Sequence, residues 1–332
     1  MAATVLANYG VPCNRVTAGV ANCTQLAAQQ VGSLINPGDT SDAIQTMNAL
    51  GFLRNNVGLS GQFGTNGFVS NQGTSSYHGM LLSLQKRYSK GFQYDFNYTW
   101  SHSIDNNSTV ANTVFGGVVC DVQNPDICKG PSDFDARHIV NADFIAEVPF
   151  GRGKWLGHDM NRWVDAVVGG WQLSGIFSAR SGLPFSAAPS VGVFPLSFVL
   201  ASPGIVTNQS ALKMQIHTTA AGTIQFFADP TAANAGIRDP QNGELGSRNV
   251  IRGPGYWNLD AGLSKKFLAP WSESQHFTFR VDAFNVFNTN IFGLPGVTRQ
   301  ITAGAAPSNA FGQITSSANA PRELQFAIRF DF

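Results

Sequence analysis

A strict alternation of aromatic and polar side chains limits what this chain can fold into more than any other feature. Residues 92–101 read FQYDFNYTWS, so five aromatic side chains share one face and five polar side chains share the other. A period of two residues belongs to an extended strand, whose successive side chains point to opposite faces. The sequence therefore predicts β-strands. The end of the chain repeats the pattern with Leu324, Phe326, Ile328, Phe330 and Phe332.

Weaker forms of the same alternation occur elsewhere in the chain. They begin at Met80, Val140, Trp171, Leu259 and Phe277. With the two aromatic segments they make seven predicted strands. Each is about as long as the 9–11 residues with which a tilted strand crosses a bilayer.

The two faces of these strands differ in a way that indicates the class of protein. One face is large and aromatic, and the other carries Asp, Asn, Gln and Arg, which is typical of strands between lipid and a wet lumen. The sequence predicts an all-β fold, an antiparallel transmembrane β-barrel, and a soluble β-sandwich is the alternative. Aromatic residues near strand ends form a predicted membrane girdle. Its members are Phe92, Tyr94, Tyr98, Trp100, Trp171 and Trp257.

The connections between the strands alternate in length. Short turns in the periplasm and long loops outside the cell are the rule for outer-membrane barrels. If the last strand runs inward, every long connection lies outside. The shorter connections are residues 89–91, 151–168 and 269–274, and the longer ones are residues 103–137, 182–256 and 289–321.

The predicted domain organisation is one barrel region over residues 77–332, preceded by an outer-loop region over residues 1–76. The first region holds at most a short helix near residues 42–52 and part of an earlier strand. Single-chain bacterial barrels close with an even number of strands, so we expect about the last seven or eight strands of a larger barrel. Residues 1–10 lack the charged and apolar segments of a secretory signal, which predicts a fragment of a longer exported chain.

The cysteines fall in two close pairs, Cys13 with Cys23 and Cys120 with Cys128. Local pairs in loop-like stretches favour small disulfide loops, which survive in an oxidising compartment. A zinc site is the competing interpretation, but neither pair has the CxxC spacing or a neighbouring pair of histidines. We therefore expect two disulfides in outer loops.

Composition excludes two classes of protein. Lys+Arg 21 is offset by Asp+Glu 20, so the chain is not a basic nucleic-acid binder. No apolar run approaches the roughly 20 residues of a spanning helix, so the chain is not a helical membrane protein. Charged residues make up 12% of the chain, about half of the fraction in soluble domains. Uncharged polar residues must therefore supply most of its polarity.

One segment carries residues that could do chemistry. Residues 133–138 read DFDARH, and a histidine beside a carboxylate can act as a general base. The competing interpretation is a set of ion pairs at the point where a strand begins. Asp121, Asn124 and Asp126 could offer oxygen ligands to calcium, but they lack the EF-hand glycine and glutamate. With no GxSxG motif in the chain, we expect no enzyme, no cofactor and no metal site.

Several segments together resemble a known family. Residues 74–108, 133–154, 169–185, 248–267, 277–293 and 321–332 match, in order, the C-terminal barrel of TonB-dependent receptors. The likeness is to the Oar-like group, whose members carry an N-terminal carboxypeptidase-regulatory-like domain. It covers about residues 63–332. The family's signal peptide, regulatory domain, TonB box and plug have no counterpart in these residues, so active transport by this chain alone is not expected.

The resemblance implies a function and a set of partners. The parent protein would lie in the cell outer membrane, bind a scarce ligand of unknown identity and import it with the energy-transducing TonB complex, acting through the plug. The barrel assembly machinery would recognise the last strand, from Leu324 to Phe332, by strand addition. Membrane lipid is the other expected partner. A role in surface adhesion or organisation is the alternative, and a soluble secreted binding protein is a more distant one.

Overall fold

The computed structural model describes residues 23–35, 46, 71–108, 124–187, 203–240, 244–268, 271, 275–296 and 311–332. In chain order, its strands are β1 Ser75–Ser89, β2 Phe92–Asp105, β3 Gly130–Pro131, β4 His138–Glu147, β5 Trp171–Arg180, β6 Pro184–Phe185, β7 Ile205–Val206, β8 Met214–Thr218, β9 Ile224–Phe227, β10 Ile237–Arg238, β11 Ile251–Arg252, β12 Tyr256–Leu268, β13 His276–Phe284, β14 Gln313–Ile314 and β15 Glu323–Asp331.

The seven long strands form one antiparallel sheet in the order β1-β2-β4-β5-β12-β13-β15, and short β3 is added to β2. The seven strands predicted from the alternation are confirmed. Within the described residues, β1 pairs only with β2, and β15 pairs only with β13. The sheet is therefore not closed on itself, as expected for part of a larger barrel.

The hairpin between β1 and β2 shows how the sequence sets the register locally. Lys90 and Gly91 both have positive φ angles, 53° and 75°. A two-residue turn of this kind matches the right-handed twist of the flanking strands, and glycine adopts it without strain. The hairpin brings Leu84 opposite Phe96 and Ser83 opposite Asn97. Side chains of like polarity therefore lie side by side.

This register continues across the sheet and gives it two distinct faces. One cross-strand row, on what we call the apolar face, consists of Leu84, Phe96, Ala142, Phe177 and Leu259. The next row, on what we call the polar face, consists of Ser83, Asn97, Asn141, Ser178 and Asn258. The apolar face is exposed along β15, where Ile328 is 75% exposed.

The connections 182–256 and 289–321 contain a folded unit, which we call the long-loop unit. It is built from the pairs β6–β11 and β7–β10 and from the three-stranded sheet β8-β9-β14. Sequence reasoning predicted only loops here. The unit instead surrounds a core of its own, made of Phe185, Ala187, Leu212, Phe226, Phe227, Ala233, Ile237, Ile251, Phe311 and Ile314.

Three α-helices are fully within the described residues: α1 Cys23–Ile35, α2 Arg162–Val168 and α3 Pro230–Ala235. Short 3₁₀ helices span Pro125–Cys128 and Gln209–Leu212. α1 lies in a region predicted to be mostly loop. The helix predicted near residues 42–52 falls outside the described residues, except for residue 46. None of the helices in the described part of the chain is long and apolar enough to cross a membrane.

Candidate functional site

A buried carboxylate, Asp135, joins the long-loop unit to the main sheet. Its side chain is fully buried and accepts hydrogen bonds from the Ser103 backbone N–H (2.8 Å), from Arg137 Nε (3.1 Å) and from Arg252 Nη2. His102 Nδ1 lies 3.2 Å from the same carboxylate. Because Ser103 is in β2 and Arg252 is in β11, this group ties strands from both parts of the molecule together.

The environment of Asp135 also determines its charge. Burial by itself raises the pKa of this carboxyl group. The hydrogen bonds from the Ser103 N–H, Arg252 and His102, together with the charge of Arg252, more than offset burial, and the pKa lies below its ordinary value of 3.8. Hydrogen bonds to the charged form favour that form. Asp135 is therefore ionised at neutral pH.

A second ion pair lies beside the first. Arg248 Nη2 donates to the carboxylate of Asp105 and to the Asp105 carbonyl oxygen (2.7 Å), and Arg248 Nη1 donates to Ser108 Oγ (3.3 Å). The neighbouring Asn249 Nδ2 donates to the Pro131 carbonyl oxygen and to Asp133 Oδ1, both at 2.7 Å. Two arginines from one segment thus insert into the ends of β2 and β4. We call this network the rim network.

The charged residues of the DFDARH motif therefore bind several different partners. Asp133 binds Asn249, and Asp135 is the centre of the rim network. A ring nitrogen of His138 lies 2.8 Å from the Tyr98 hydroxyl, and it is His102 that lies beside Asp135. Sequence reasoning missed His102, Arg248 and Arg252, because they are distant from the motif in the chain. The two arginines lie in residues 248–267, where the only signal for them is the family resemblance.

Aromatic rings in edge-to-face and stacked contacts fill the core of the long-loop unit. Ring centroids are 4.9 Å apart for Phe226 and Phe227, 5.3 Å for Phe227 and Phe311, and 5.8 Å for Phe185 and Phe226. Gly312 lies against this stack with a φ of 79°, and a side chain there would collide with Phe227. The core combines the two long connections, because Phe226 and Phe311 come from different ones. The long-loop unit is therefore a preformed surface.

The polar face has a hollow at the end of the sheet that carries the short turns, which we call the short-turn end. Its volume is about 610 Å³, and it is lined by Lys266, His276, Thr278, Arg280, Ala327, Arg329 and Asp331. Arg280 Nε donates to Asp282 (2.9 Å), and Arg329 Nε donates to Asp331 (2.7 Å). Each carboxylate orients its arginine two residues away on the same strand. The cationic side chains of Lys266, Arg280 and Arg329 thus line the hollow. By contrast, Asp95 and Asp143 lie opposite each other farther along the polar face.

A comparison with protein families agrees with this geometry. The profile of the outer membrane beta barrel domain matches residues 18–325. The chain belongs to this family. No curated protein and no solved structure matches it. Membership implies that this outer membrane beta barrel domain resides in the outer membrane, with its apolar face toward lipid and its polar face toward the lumen.

The predicted girdle residues lie on the apolar face of the barrel domain. Tyr98 shares a cross-strand row with Trp257, through Val140 and Ala179. Trp100 is one step farther toward the end that carries the long loops, which we call the long-loop end. Phe92, Tyr94 and Trp171 are nearer the short-turn end. Their contact with the membrane interface stays a prediction.

The last strand of the barrel domain offers a free edge. Leu324, Phe326 and Phe330 pair on one side with Ala283, Val281 and Phe277 of β13. No strand of the described residues pairs on the other side. Ile328 and Phe332 are 75% and 96% exposed. This edge has the main-chain groups that strand addition needs, and recognition by the assembly machinery stays a prediction.

The predicted disulfides are only partly within the described residues. Cys128 is buried and disulfide-bonded. Cys13 and Cys120 lie outside the described residues, and Cys23 begins α1. The pairings Cys120–Cys128 and Cys13–Cys23 stay predictions.

The three residues that could offer oxygen ligands to calcium, Asp121, Asn124 and Asp126, come from the same stretch of the chain as Cys128. Asp121 lies outside the described residues, and Asp126 Oδ1 instead accepts a hydrogen bond from Thr74 Oγ1 at 3.3 Å. The described part of the chain contains no group of three or more His, Cys, Asp or Glu residues that could hold a metal ion.

Proposed function

We propose that the chain forms the C-terminal barrel segment of a TonB-dependent receptor of the Oar-like group. The receptor binds a scarce ligand at the long-loop end and passes it through the lumen into the periplasm. The observation that carries this proposal is the folded long-loop unit, fixed to the strands by Asp135 and Arg252. Binding residues are disproportionately found on connections that a rigid scaffold positions.

The long-loop unit suits ligand capture because its shape exists before the ligand binds. Ordering a flexible loop on binding costs affinity, roughly 0.5–1.5 kcal/mol for each immobilised side chain. Here the Phe226 and Phe311 core and the rim network already supply that order. A scarce ligand requires high affinity, and a preformed surface provides it. The ligand itself is proposed only as a solute that outer loops can capture.

The open edges of the sheet support a wide barrel. In lipid, each unpaired backbone group costs several kcal/mol, so both β1 and β15 require neighbouring strands. A barrel of about eight strands is filled by its own side chains, whereas the larger barrel proposed here, of which these seven strands are one part, encloses a wider lumen. The polar face, with Asn97, Asn141 and Asn258 in one row, suits a water-filled passage. The cationic hollow lies at the exit of this passage.

The proposal names several partners and involves no catalysed reaction. Energy comes from the inner-membrane TonB complex, which acts on the plug of the full-length receptor. The assembly machinery binds β15, and outer-membrane lipid covers the apolar face. The proposal involves no nucleic acid, no cofactor and no catalytic step.

A growth experiment in the host bacterium tests the transport function. A strain that lacks this protein is compared with its parent across media in which one nutrient at a time is scarce. We expect a growth defect on one nutrient, and we expect loss of the TonB complex to reproduce that defect. The wild-type gene should restore growth, whereas Phe226→Asp, which disrupts the long-loop unit, should not.

The matched control is Ile176→Asn on the polar face, where the side chain is 63% exposed and lies opposite Asp143 and Asp260. This variant should restore growth, because the new polar side chain meets water and adds no like charge beside the two carboxylates. Normal growth of the deletion strain on every scarce nutrient, combined with loss of surface attachment, would contradict the transport function. It would instead favour the surface-organisation role of the same barrel type.

A further inference from the structure

The connection between β4 and β5 contains the short helix α2, and its position on the sheet is unusual. Lys265 of β12 pairs with Trp171 and Phe279 on the apolar face. The Lys265 ammonium donates to the carbonyl oxygens of Gly169 and Asp165, and Trp171 Nε1 donates to the Val167 carbonyl oxygen (3.0 Å). Two side chains of the apolar face therefore hold the C-terminal end of α2.

Local sequence explains why a helix forms here. The Asn161 side chain accepts a hydrogen bond from the Trp163 backbone N–H (3.0 Å), which caps the first turn. Asp165 Oδ1 accepts from the Arg152 backbone N–H (2.6 Å). This contact fastens the helix to the turn that follows β4. Gly169 ends the helix, and its backbone N–H donates to the Asp165 carbonyl oxygen (2.8 Å).

The contact of Lys265 with α2 satisfies two groups that lipid cannot satisfy. A lysine on the lipid side of a barrel costs about 2–4 kcal/mol at the bilayer midplane, and less toward the interface. The last carbonyl groups of a helix lack intrahelical partners. In water, solvent molecules would hydrogen-bond to both the lysine ammonium and the helix carbonyl groups. Lys265 is instead only 5% exposed, and its ammonium takes the carbonyl oxygens as partners.

The outward side of α2 is apolar. Trp163 is 75% exposed, Val167 66% and Val164 47%, and nearby Trp155 is 85% exposed. The Arg162 guanidinium lies 5.7 Å from the centroid of the Trp163 ring. Tryptophan beside arginine is typical of the boundary between lipid headgroups and acyl chains, because the indole ring has an apolar body and a polar N–H.

We propose that α2 and Trp155, together called the interfacial foot, lie in the periplasmic leaflet of the outer membrane, at the boundary between phospholipid headgroups and acyl chains. The occupant of this surface is phospholipid, because the foot continues the lipid-facing apolar face through Lys265 and Trp171. Arg162 contacts headgroup phosphates, and Val167 and Trp163 contact acyl chains. The foot fixes the depth of the barrel wall at its short-turn end.

Site-resolved paramagnetic broadening tests the foot. The full-length protein is produced with 5-fluorotryptophan in place of tryptophan. It is then reconstituted in vesicles of phosphatidylethanolamine and phosphatidylglycerol. Trp155→Phe and Trp163→Phe assign the two resonances by their disappearance. We expect lipid that carries a nitroxide on an upper acyl carbon to broaden both resonances strongly, and a water-soluble nickel chelate to leave them nearly unchanged.

Two further positions calibrate the measurement. Trp257 is on the apolar face near the opposite end of the barrel, so lipid nitroxide should broaden its resonance. A tryptophan introduced by Phe134→Trp, in an exposed loop of the rim, should respond to the nickel chelate alone. If the Trp155 and Trp163 resonances behave like the Phe134→Trp resonance while Trp257 responds to lipid, the foot is in water and the proposal is wrong. This result would leave the receptor function untouched.

Discussion

The main sheet and the long-loop unit remove their apolar side chains from water in two different ways, the sheet by facing lipid and the unit by forming a protein core. The long-loop unit hides its apolar side chains in a core, where Phe226 and Ile237 are fully buried. Among the described residues, no buried hydrophobic residue belongs to the seven long strands. Their large side chains, such as Phe326 and Ile328, point outward. One region is therefore stabilised by its own interior, whereas the other depends on the membrane.

The rim network between these regions shows how they are joined. Asp135 and Asp105 are buried carboxylates, and each pairs with an arginine from the segment before β12. A buried ion pair is strongly destabilised when one partner is removed. The join is therefore specific, because a shift of the long-loop unit would take both arginines away from the buried carboxylates that they bind. The comparison predicts that changes in the two regions have effects that depend on the solvent.

The largest expected effect is on the whole chain. Expressed alone without detergent, it should aggregate and show no monodisperse species of 35.5 kDa by light scattering. The apolar face leaves large side chains such as Leu324, Phe326 and Ile328 more than half exposed, and soluble monomers rarely expose contiguous apolar patches beyond a few hundred Å². β1 and β15 also expose unpaired edges, which promote association. A stable monomer that melts cooperatively in plain buffer would instead support the soluble sandwich.

The next effect separates the two regions by one kind of substitution. Phe226→Ala should destabilise the long-loop unit by about 3–5 kcal/mol, because it empties a fully buried ring site. Phe326→Ala, at a position that is 66% exposed, should change stability in detergent by about 0.5 kcal/mol or less. Limited proteolysis of the long-loop unit, in detergent, measures the first effect. Equal resistance of the two variants would show that the unit has no core of its own.

A third effect distinguishes the two faces of one strand. Phe96→Arg puts a charge on the lipid side of β2 and should cost about 2–4 kcal/mol near the bilayer midplane. Asn97→Arg puts the same charge on the polar face, beside Asp95, and should cost much less. Urea titrations of folding into lipid vesicles, done on the full-length barrel, give both values. Similar costs for the two variants would contradict the assigned orientation of the strand.

The strands could be predicted from sequence because their signal is local. Each strand shows its alternation within about ten residues, and the Lys90–Gly91 turn then sets the register of the first pair. The core of the long-loop unit has no such signal. Phe226 packs against Phe185 and Phe311, which belong to different connections. Short strands, such as β6 and β11 with two residues each, show no period at all.

The rim network was half predicted for a related reason. The DFDARH motif stood out because its charges are adjacent, and ion pairing at the start of a strand was one of its two interpretations. Its partners Asn249 and Arg252 lie more than 100 residues away. Nothing in the local pattern identifies which carboxylate each of them selects. That choice follows from the antiparallel order of the sheet, which brings β12 beside β5 and the segment before β12 to the end of β4.

The smallest effect is a dependence of the join on pH. The pKa of Asp135 is lowered in the folded chain, so the unfolded chain binds its proton more readily. A lowered carboxyl pKa stabilises the folded state fully above the ordinary pKa, and this stabilisation is lost as the pH falls through the folded value. The rim should therefore keep its stability down to about pH 4 and lose it in more acidic solution.

The backbone amide of Ser103, which donates to Asp135 Oδ1, reports the protonation in an NMR titration of the detergent-solubilised barrel. The titration midpoint should lie below 3.8. Asp135→Asn should abolish this step, and at neutral pH it should cost about 1.5–3 kcal/mol, because it removes a charged acceptor of several hydrogen bonds. A midpoint above the ordinary value would mean that burial outweighs the hydrogen bonds at this position, and the rim would then be strengthened by acid instead of weakened.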